Sequence, residues 1–431
     1  MSGFGSSHGS DFNIAVSNSR ILVSGSGPAG MIAALALAQA GQDVLLAGPI
    51  SDQDDRRTTA LMMPAIEYLD SLGIWQTIRP DTAPLASMRI VDGTRRLIRS
   101  PAVTFRAAEI GEEAFGYNIP NLVLNRVLHE AVTAHPRIAR QYANATEYLH
   151  SDTAVTVTFS DGQQVETSLI VAADGRNSLA RDAAGIKTRR WSYPQTAVVC
   201  SFSHKVPHLN SSTEFHTEDG PFTQVPLPGN RSSLVWVANP LRAKALMELD
   251  TEALGHEIEI RMQSMLGALT VETKQQAWPL SGLVPLKFAA KRTILIGEAA
   301  HVFPPIGAQG LNLGTRDVET LISAITKGMK AGDDNDAGSD RVIRAYDSGR
   351  RPDILARTGS VDVLNRTLLS DFLPAQLIRG TGLEVLRKLA PLRSFFMREG
   401  LRPGGGFKAL LPSFGSSKTT SVAETSNYDS K

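Results

Sequence analysis

Residues 20–47 restrict the fold of this 431-residue chain more tightly than any other stretch. Residues 20–24 form a short apolar, β-branched run, as a buried parallel strand does. Gly25-Ser26-Gly27-Pro28-Ala29-Gly30 turns the chain, residues 31–40 are rich in Ala and Leu and read as a helix, and residues 43–47 supply the next strand. The unit is βαβ. Each glycine has its own reason. Gly25 permits the tight turn, Gly27 leaves room for a pyrophosphate beside the backbone, and Gly30 lets helix and strand pack closely. The helix N-terminus offers free N–H groups and a partial positive charge to phosphate. Residues 21–42 are uncharged and long enough to cross a bilayer. Their four glycines, two serines and one proline cut the run into strand, turn and helix instead.

One expected part of such a unit is missing. The second strand usually leads to an acidic residue that grips a ribose. Here Leu46 is followed by Ala47, Gly48 and Pro49. The nearest carboxylates, Asp52, Asp54 and Asp55, read as loop caps or solvated groups, so no ribose carboxylate is assigned. Arg56 and Arg57 follow; each meets phosphate or adenine, or is a solvated surface charge.

Composition sets broad limits. With 42% apolar and 20% charged residues the chain reads as a globular protein of two or three domains. A net charge of +1 gives no electrostatic reason to expect a nucleic-acid partner. Cys200 is the sole cysteine, which excludes an internal disulfide and suits a reducing compartment. His204 and His208 have a helical metal spacing, but Pro207 and strand-like surroundings argue against a zinc site, and no metal is expected. Residues 1–19, rich in Ser, Gly and Asn, read as a flexible leader without the basic start and apolar core of a signal peptide.

Farther along, residues 60–72 read as a helix ending at Gly73, and 88–98 as a strand pair turning at Asp92-Gly93. Residues 122–134 are helical; 154–159 and 164–169 form a hairpin around Ser160-Asp161-Gly162; 169–172 return as a buried strand. Between 197 and 284, strand-like runs dominate (197–203, 213–217, 222–227, 233–238, 271–278), with one helix at 242–266. They suggest a mostly antiparallel sheet. Residues 293–297 are a buried strand, 311–329 a helix, 331–340 an acidic loop, 341–401 largely helical and 416–431 disordered.

Two further stretches resemble sites. Residues 169–178 run from a strand into Asp174-Gly175, a common turn whose place after a buried strand suits a contact. Residues 293–301 run from a strand into Gly297-Glu298, followed by Pro304, Pro305, Gly307, Gln309, Gly310, Leu311, Asn312 and Gly314. Such a proline-glycine loop lays backbone N–H groups along a planar, electron-rich ring. Glu298 suits a hydrogen bond from a ribityl hydroxyl; a lone histidine such as His301 is more often a packing residue than a catalytic one.

These motifs, above all GEAAHVFPPIGAQGLNLGTRD (297–317) with AYDSGRRPD (345–353), resemble the group A flavin-dependent aromatic hydroxylases of the p-hydroxybenzoate hydroxylase fold. More narrowly, residues 20–400 are similar to the ubiquinone-biosynthesis hydroxylases of the 2-polyprenylphenol and polyprenyl-methoxyphenol type. The resemblance implies an α/β fold. A discontinuous, Rossmann-like FAD domain (20–84, 118–188, 285–330) would carry an inserted, mostly antiparallel substrate-binding sheet (85–117, 189–284). A C-terminal helical region (331–412) and a disordered tail (413–431) would follow.

It also implies roles. Gly25, Gly27, Pro28, Ala29 and Gly30 would hold the FAD pyrophosphate; Arg57, Asn121, Asp174 and Gly175 would contact FAD, the last two also serving NAD(P)H; Glu298, in place of the family's aspartate, would bond the ribityl chain. Pro305, Gly307, Gln309, Gly310, Leu311 and Asn312 would lie beside the flavin ring, with Pro305 and Gly307 at its reacting edge and no acid–base residue assigned; His216 and Tyr193 read as structural. The implied chemistry is hydroxylation of a polyprenylphenol by a flavin C4a-hydroperoxide made with O2, the electrons coming from NAD(P)H or a separate reductase. Alternatives are a group A enzyme acting on another phenol or an alkene, and a non-catalytic flavin-fold subunit of a biosynthetic complex. Within 341–410 Lys and Arg outnumber Asp and Glu by 13 to 6. This is either a basic surface for anionic lipid or a partner complex, or a helical cap on the FAD domain. Location is expected in the cytoplasm, with a peripheral place on the inner face of the plasma membrane if the lipid reading holds.

Overall fold

The computed structural model describes residues 21–50, 55, 57–94, 101–304, 309–330, 336–369 and 389–401. Its first layer is a six-stranded sheet of β1 (Ile21–Ser24), β2 (Val44–Ala47), β8 (Ile138–Gln141), β12 (Leu169–Ala172), β19 (Ala289–Ala290) and β20 (Thr293–Leu295). The order is β19-β20-β12-β1-β2-β8, all neighbours parallel except β19. β1, β2 and β12 are buried along their whole length, as expected of parallel strands covered on both faces. Helix α1 (Pro28–Gln39) is buried from Gly30 to Ala38, because it lies against this sheet and also against α4 (Asn121–Ala134) and α8 (Gln309–Lys330). Residues 21–39 thus form strand, turn and helix, and no helix among the described residues is long and apolar enough to cross a membrane.

A small sheet joins β3 (Thr58–Met62), β4 (Ala83–Pro84) and β7 (Gly116–Pro120). Residues 60–62 are therefore strand rather than helix: pairing of Thr58–Met62 with Gly116–Pro120 overrides their helical pattern. Helix α2 (Met63–Ser71) starts only where Pro64 fits its first turn, and short α3 (Trp75–Ile78) follows. β9 (Ala145–His150), β10 (Val155–Phe159) and β11 (Gln164–Thr167) form a third sheet with the expected hairpin; α5 (Leu179–Ala183) follows β12.

The large sheet contains β5 (Ser87–Asp92), β6 (Val103–Arg106), β13 (Thr188–His204), β14 (Ser211–Thr217), β15 (Gly220–Leu227), β16 (Arg231–Ala238), β17 (Leu269–Val271) and β18 (Gln276–Pro285). It is antiparallel except where β14 pairs with β5. Asp92-Gly93 does not close a hairpin. β5 pairs with β6 (Ile90↔Val103), while Gly93 donates to the His216 carbonyl at 2.9 Å, so β14 captures the turn's backbone. The run 271–278 is split between β17 and β18, and 242–266 is two helices, α6 (Pro240–Glu248) and α7 (Thr251–Arg261). Asp250 caps α7 by accepting the Ala253 N–H. A separate core fills the space between this sheet and α6 and α7, built on Phe202, Phe222, Trp236, Leu246, Leu254 and Ile258.

Helix α9 (Asp340–Leu369) packs on α8 and on β19 and β20. The final helix, α10 (Ala390–Leu401), is docked on the turn Ala107–Ile110 of the large-sheet side rather than on the βαβ unit. Met397 packs with Ala107, Ile110 and Phe115, and Arg393 pairs with Glu109 at 2.7 Å. The Arg398 guanidinium donates to the Ile110 carbonyl. These two arginines of the basic region thus contact protein on the large-sheet side, whereas the cap expected from the sequence lay on the FAD domain. The leader, the tail and residues 370–388 lie outside the described residues.

Candidate functional site

From β1 the chain winds through β2 to β8 on one side of the sheet, then returns to β12 and β20 on the other. Its direction reverses between β1 and β12, where open α/β sheets take their ligands beyond the strand C-termini. There the first two glycine stretches meet. Ala173 N–H donates to the Ser24 carbonyl at 2.7 Å, and a Cβ on Gly25 (φ +109°) would stand 2.3 Å from the Ala173 oxygen. A Cβ on Gly30 would stand 1.9 Å from the Gly25 oxygen, so the helix rests directly on the turn. Gly27 is different: it is extended, nothing lies within 4 Å of where its Cβ would be, and no side chain caps α1. An open backbone at an uncapped N-terminus fits a pyrophosphate.

The third stretch joins them through Ala29, whose methyl lies 3.0 Å from a Cβ built on Gly297 and 3.6 Å from one on Gly314. Asp174 accepts the Ala180 N–H at 3.2 Å through Oδ2, while Oδ1 is buried without a partner. Burial pushes its carboxyl above the ordinary range, against hydrogen bonds from Ser178 and Ala180. Gly175 (φ +82°) makes the turn. Arg181, fully buried, donates to the carbonyls of Ala299 and Arg176, both at 3.1 Å, and so ties the Asp-Gly turn to the Glu298 turn.

Glu298 is exposed and lies 3.4 Å from Arg176. Arg57 stacks over Trp278 at 4.9 Å and pairs with Asp55 at 2.7 Å. Asp55 raises the Arg57 guanidinium above its ordinary value despite burial, with a smaller push from Glu298. Asn121 uses both ends of its amide on the same segment, accepting from Thr59 Oγ1 at 2.7 Å and donating to Asp55 at 2.9 Å. Asn312 acts similarly on β3: its Nδ2 donates to the Ala60 carbonyl and its Oδ1 accepts the Met62 N–H, both at 2.8 Å. Both asparagines therefore clamp Asp55 and residues 59–62 against the ends of α4 and α8. Pro305, Gly307 and the side chain of Gln309 lie outside the described residues.

A cavity of about 500 Å³ connects the two halves. Arg57, Asn121, Glu298, Gly310 and Leu311 line one side; Val199, Thr223 and Val235 of the large sheet line the other. Gly25, Gly27, Asp174 and Gly175 are not in its wall and stand behind it at the strand ends. Glu214 faces the cavity from β14, 2.8 Å from His216. His204 and His208 are held by Ser232 and by the carbonyls of Val206 and Leu227.

Sequence reasoning missed the support beneath the Glu298 turn. Asp317, fully buried, accepts the Gly297 N–H at 2.9 Å, lies 2.8 Å from His301 Nε2 and receives Arg350 Nε at 2.8 Å. His301 is buried and stacked on Phe303, a packing role. Burial alone would lower the Arg350 guanidinium; Asp317, Tyr346 and Asp353 reverse that and hold it above its ordinary value. The signal was present in the two motifs 297–317 and 345–353, which supply Asp317 and Arg350 respectively.

With this geometry in hand, comparison with known proteins is specific. Residues 18–356 match the family described as FAD binding domain. The chain is 31% identical over 391 residues to the ubiquinone hydroxylase UbiL of Rhodospirillum rubrum, covering 88% of this chain and 89% of that protein. It is 30% identical over 385 residues to the 3-demethoxyubiquinol 3-hydroxylase of Escherichia coli, covering 86% and 96%. Its fold is shared with p-nitrophenol 4-monooxygenase PnpA of Pseudomonas putida (TM-score 0.71, 19% identity, 89% of this chain and 96% of that one).

Proposed function

The chain belongs to the FAD binding domain family, and on that premise we propose that it hydroxylates the aromatic ring of a polyprenylated phenol on the way to ubiquinone. It is an FAD-dependent monooxygenase that uses O2. The observation that carries the reading is a cavity shared by the flavin-side residues Glu298, Gly310 and Leu311 and the large sheet. When bound, FAD supplies the activation of O2 and the transfer of one oxygen atom.

The protein's part is to bind, orient and exclude water. The Gly25–Gly30 turn takes the pyrophosphate at the N-terminus of α1, with Pro28 presetting its first turn and Ala29 setting the spacing to Gly297. Asp174 and Gly175 border the same edge, and Glu298 receives ribityl hydroxyls. Arg57 and Asn121 wall the entrance, Gly310, Leu311 and Asn312 border the ring, and Pro305, Gly307 and Gln309 are assigned to it by their place in the same motif. Val199, Val235, Leu280, Phe303 and Leu311 give part of the cavity wall an apolar surface, which disfavours water beside the reacting atoms. We assign the FAD-binding unit to 20–84, 118–188 and 285–330 and the substrate sheet to 85–117 and 189–284. The electron donor is NAD(P)H or a separate reductase. A polyprenyl substrate resides in the bilayer, so the protein works at the cytoplasmic membrane face, alone or within a biosynthetic complex.

Removing the chain from its host should make a polyprenylphenol one ring oxygen short of the quinone accumulate, as read by mass spectrometry of lipid extracts. An unchanged quinone pool would refute the proposal.

A further inference from the structure

The edge beyond β2 raises a question of charge. β2 itself carries no carboxylate after Val44, and Asp55 is committed to Arg57 and Asn121; Asp52 and Asp54 lie outside the described residues. Opposite Leu46, on neighbouring β8, stands Arg140. One nitrogen of its guanidinium, Nη2, donates to the Gly48 carbonyl at 3.3 Å. The other two, Nε and Nη1, are buried without an acceptor among the described residues. Burial draws the group below its ordinary value, and only Tyr142, 5.1 Å beneath it, offsets this. A buried donor left unmade costs about 1–3 kcal/mol, more for a charged group.

The surroundings point to what would complete it. Gly48 packs on Ser26 of the glycine turn, whose hydroxyl donates to the Pro49 carbonyl. Arg140 is thus joined through Gly48 to the turn that fits a pyrophosphate. Tyr142 leaves about half its surface (52%) open, so this edge is reachable from solvent.

We propose that Arg140 receives the adenosine end of FAD, its guanidinium donating to ribose oxygens where related units use a carboxylate on β2. The inference rests on the FAD reading above. The test uses apo-protein with Arg140→Met and Arg140→Lys. FAD and FMN affinities are read by flavin fluorescence quenching, and melting temperatures are measured without flavin. We expect Arg140→Met to weaken FAD at least about tenfold, with Arg140→Lys between it and wild type. FMN binding should be unchanged, and apo-protein melting equal or higher, since two orphaned donors are gone. FAD binding equal to wild type overturns the inference. So does an equal loss for FMN and FAD, which puts the contact on the shared phosphate, or a lower apo melting temperature with unchanged FAD affinity, which makes Arg140 structural. If wild type itself binds no FAD, the family-level function fails instead.

Discussion

Gly27 and Gly30 lie three residues apart in one turn, yet the structure assigns them opposite sensitivities. In Gly30→Ala the new Cβ would sit 1.9 Å from the Gly25 oxygen, inside the 3.0 Å that real Cβ atoms keep. Both partners are backbone, so α1 must lift off the turn by about 1 Å. Overpacking of this kind costs about 1–3 kcal/mol, and the helix-propensity gain of alanine returns only about 0.5–1. A net loss of about 1 kcal/mol lowers the folded-to-unfolded ratio about fivefold. Gly27→Ala meets nothing within 4 Å, and its extended backbone suits alanine. Its cost to the apo-protein should stay below about 1 kcal/mol. Its methyl, however, would project where the pyrophosphate approaches, and should weaken FAD at least about tenfold. Urea unfolding of the apo-proteins and FAD titration separate the two effects. If Gly27→Ala bound FAD as wild type does, the turn would not be the pyrophosphate cradle.

Three further outcomes are expected. Asp317→Asn removes one of the two carboxylates paired with the buried Arg350, Asp353 staying 2.7 Å away, and should cost about 1–3 kcal/mol in urea unfolding; no measurable loss would show the network to be dispensable. Burial lowers the His150 and His204 imidazoles below their ordinary 6.5, so the folded chain binds fewer protons than the unfolded one at acid pH. Their contribution is complete above pH 6.5 and declines as pH falls, so His204→Asn should flatten the loss of unfolding midpoint between pH 7.5 and 5.5; an unchanged slope would contradict this. Burial pushes the Cys200 thiol up to about 12, so it should resist a thiol reagent at pH 8 until the protein unfolds, and rapid native labelling would contradict its placement.

What was legible in the sequence was local. The βαβ unit reads from 28 residues because strand, glycine turn and helix each have a short-range signature. Where long-range pairing decides, the reading failed. β14 lies over a hundred residues from Asp92-Gly93 and takes the backbone that the turn chemistry would have closed. β7 does the same to residues 60–62. At the site, Asn121 and Asn312 were found, but not that their amides grip Asp55 and residues 59–62. Asp317, His301 and Arg350 meet only when β20, α8 and α9 pack, so no spacing rule reveals their contact. The missing acid after β2 was plain in the sequence, whereas the unmatched guanidinium of Arg140 beside it depends on the register of β8.

The most direct measurement follows labelled O2 through the purified, FAD-loaded protein with a reductant and a polyprenylphenol. The account requires one labelled atom to appear on the aromatic ring, with O2 uptake rising on addition of the phenol. Labelled peroxide alone, with every polyprenylphenol recovered unchanged, would contradict it.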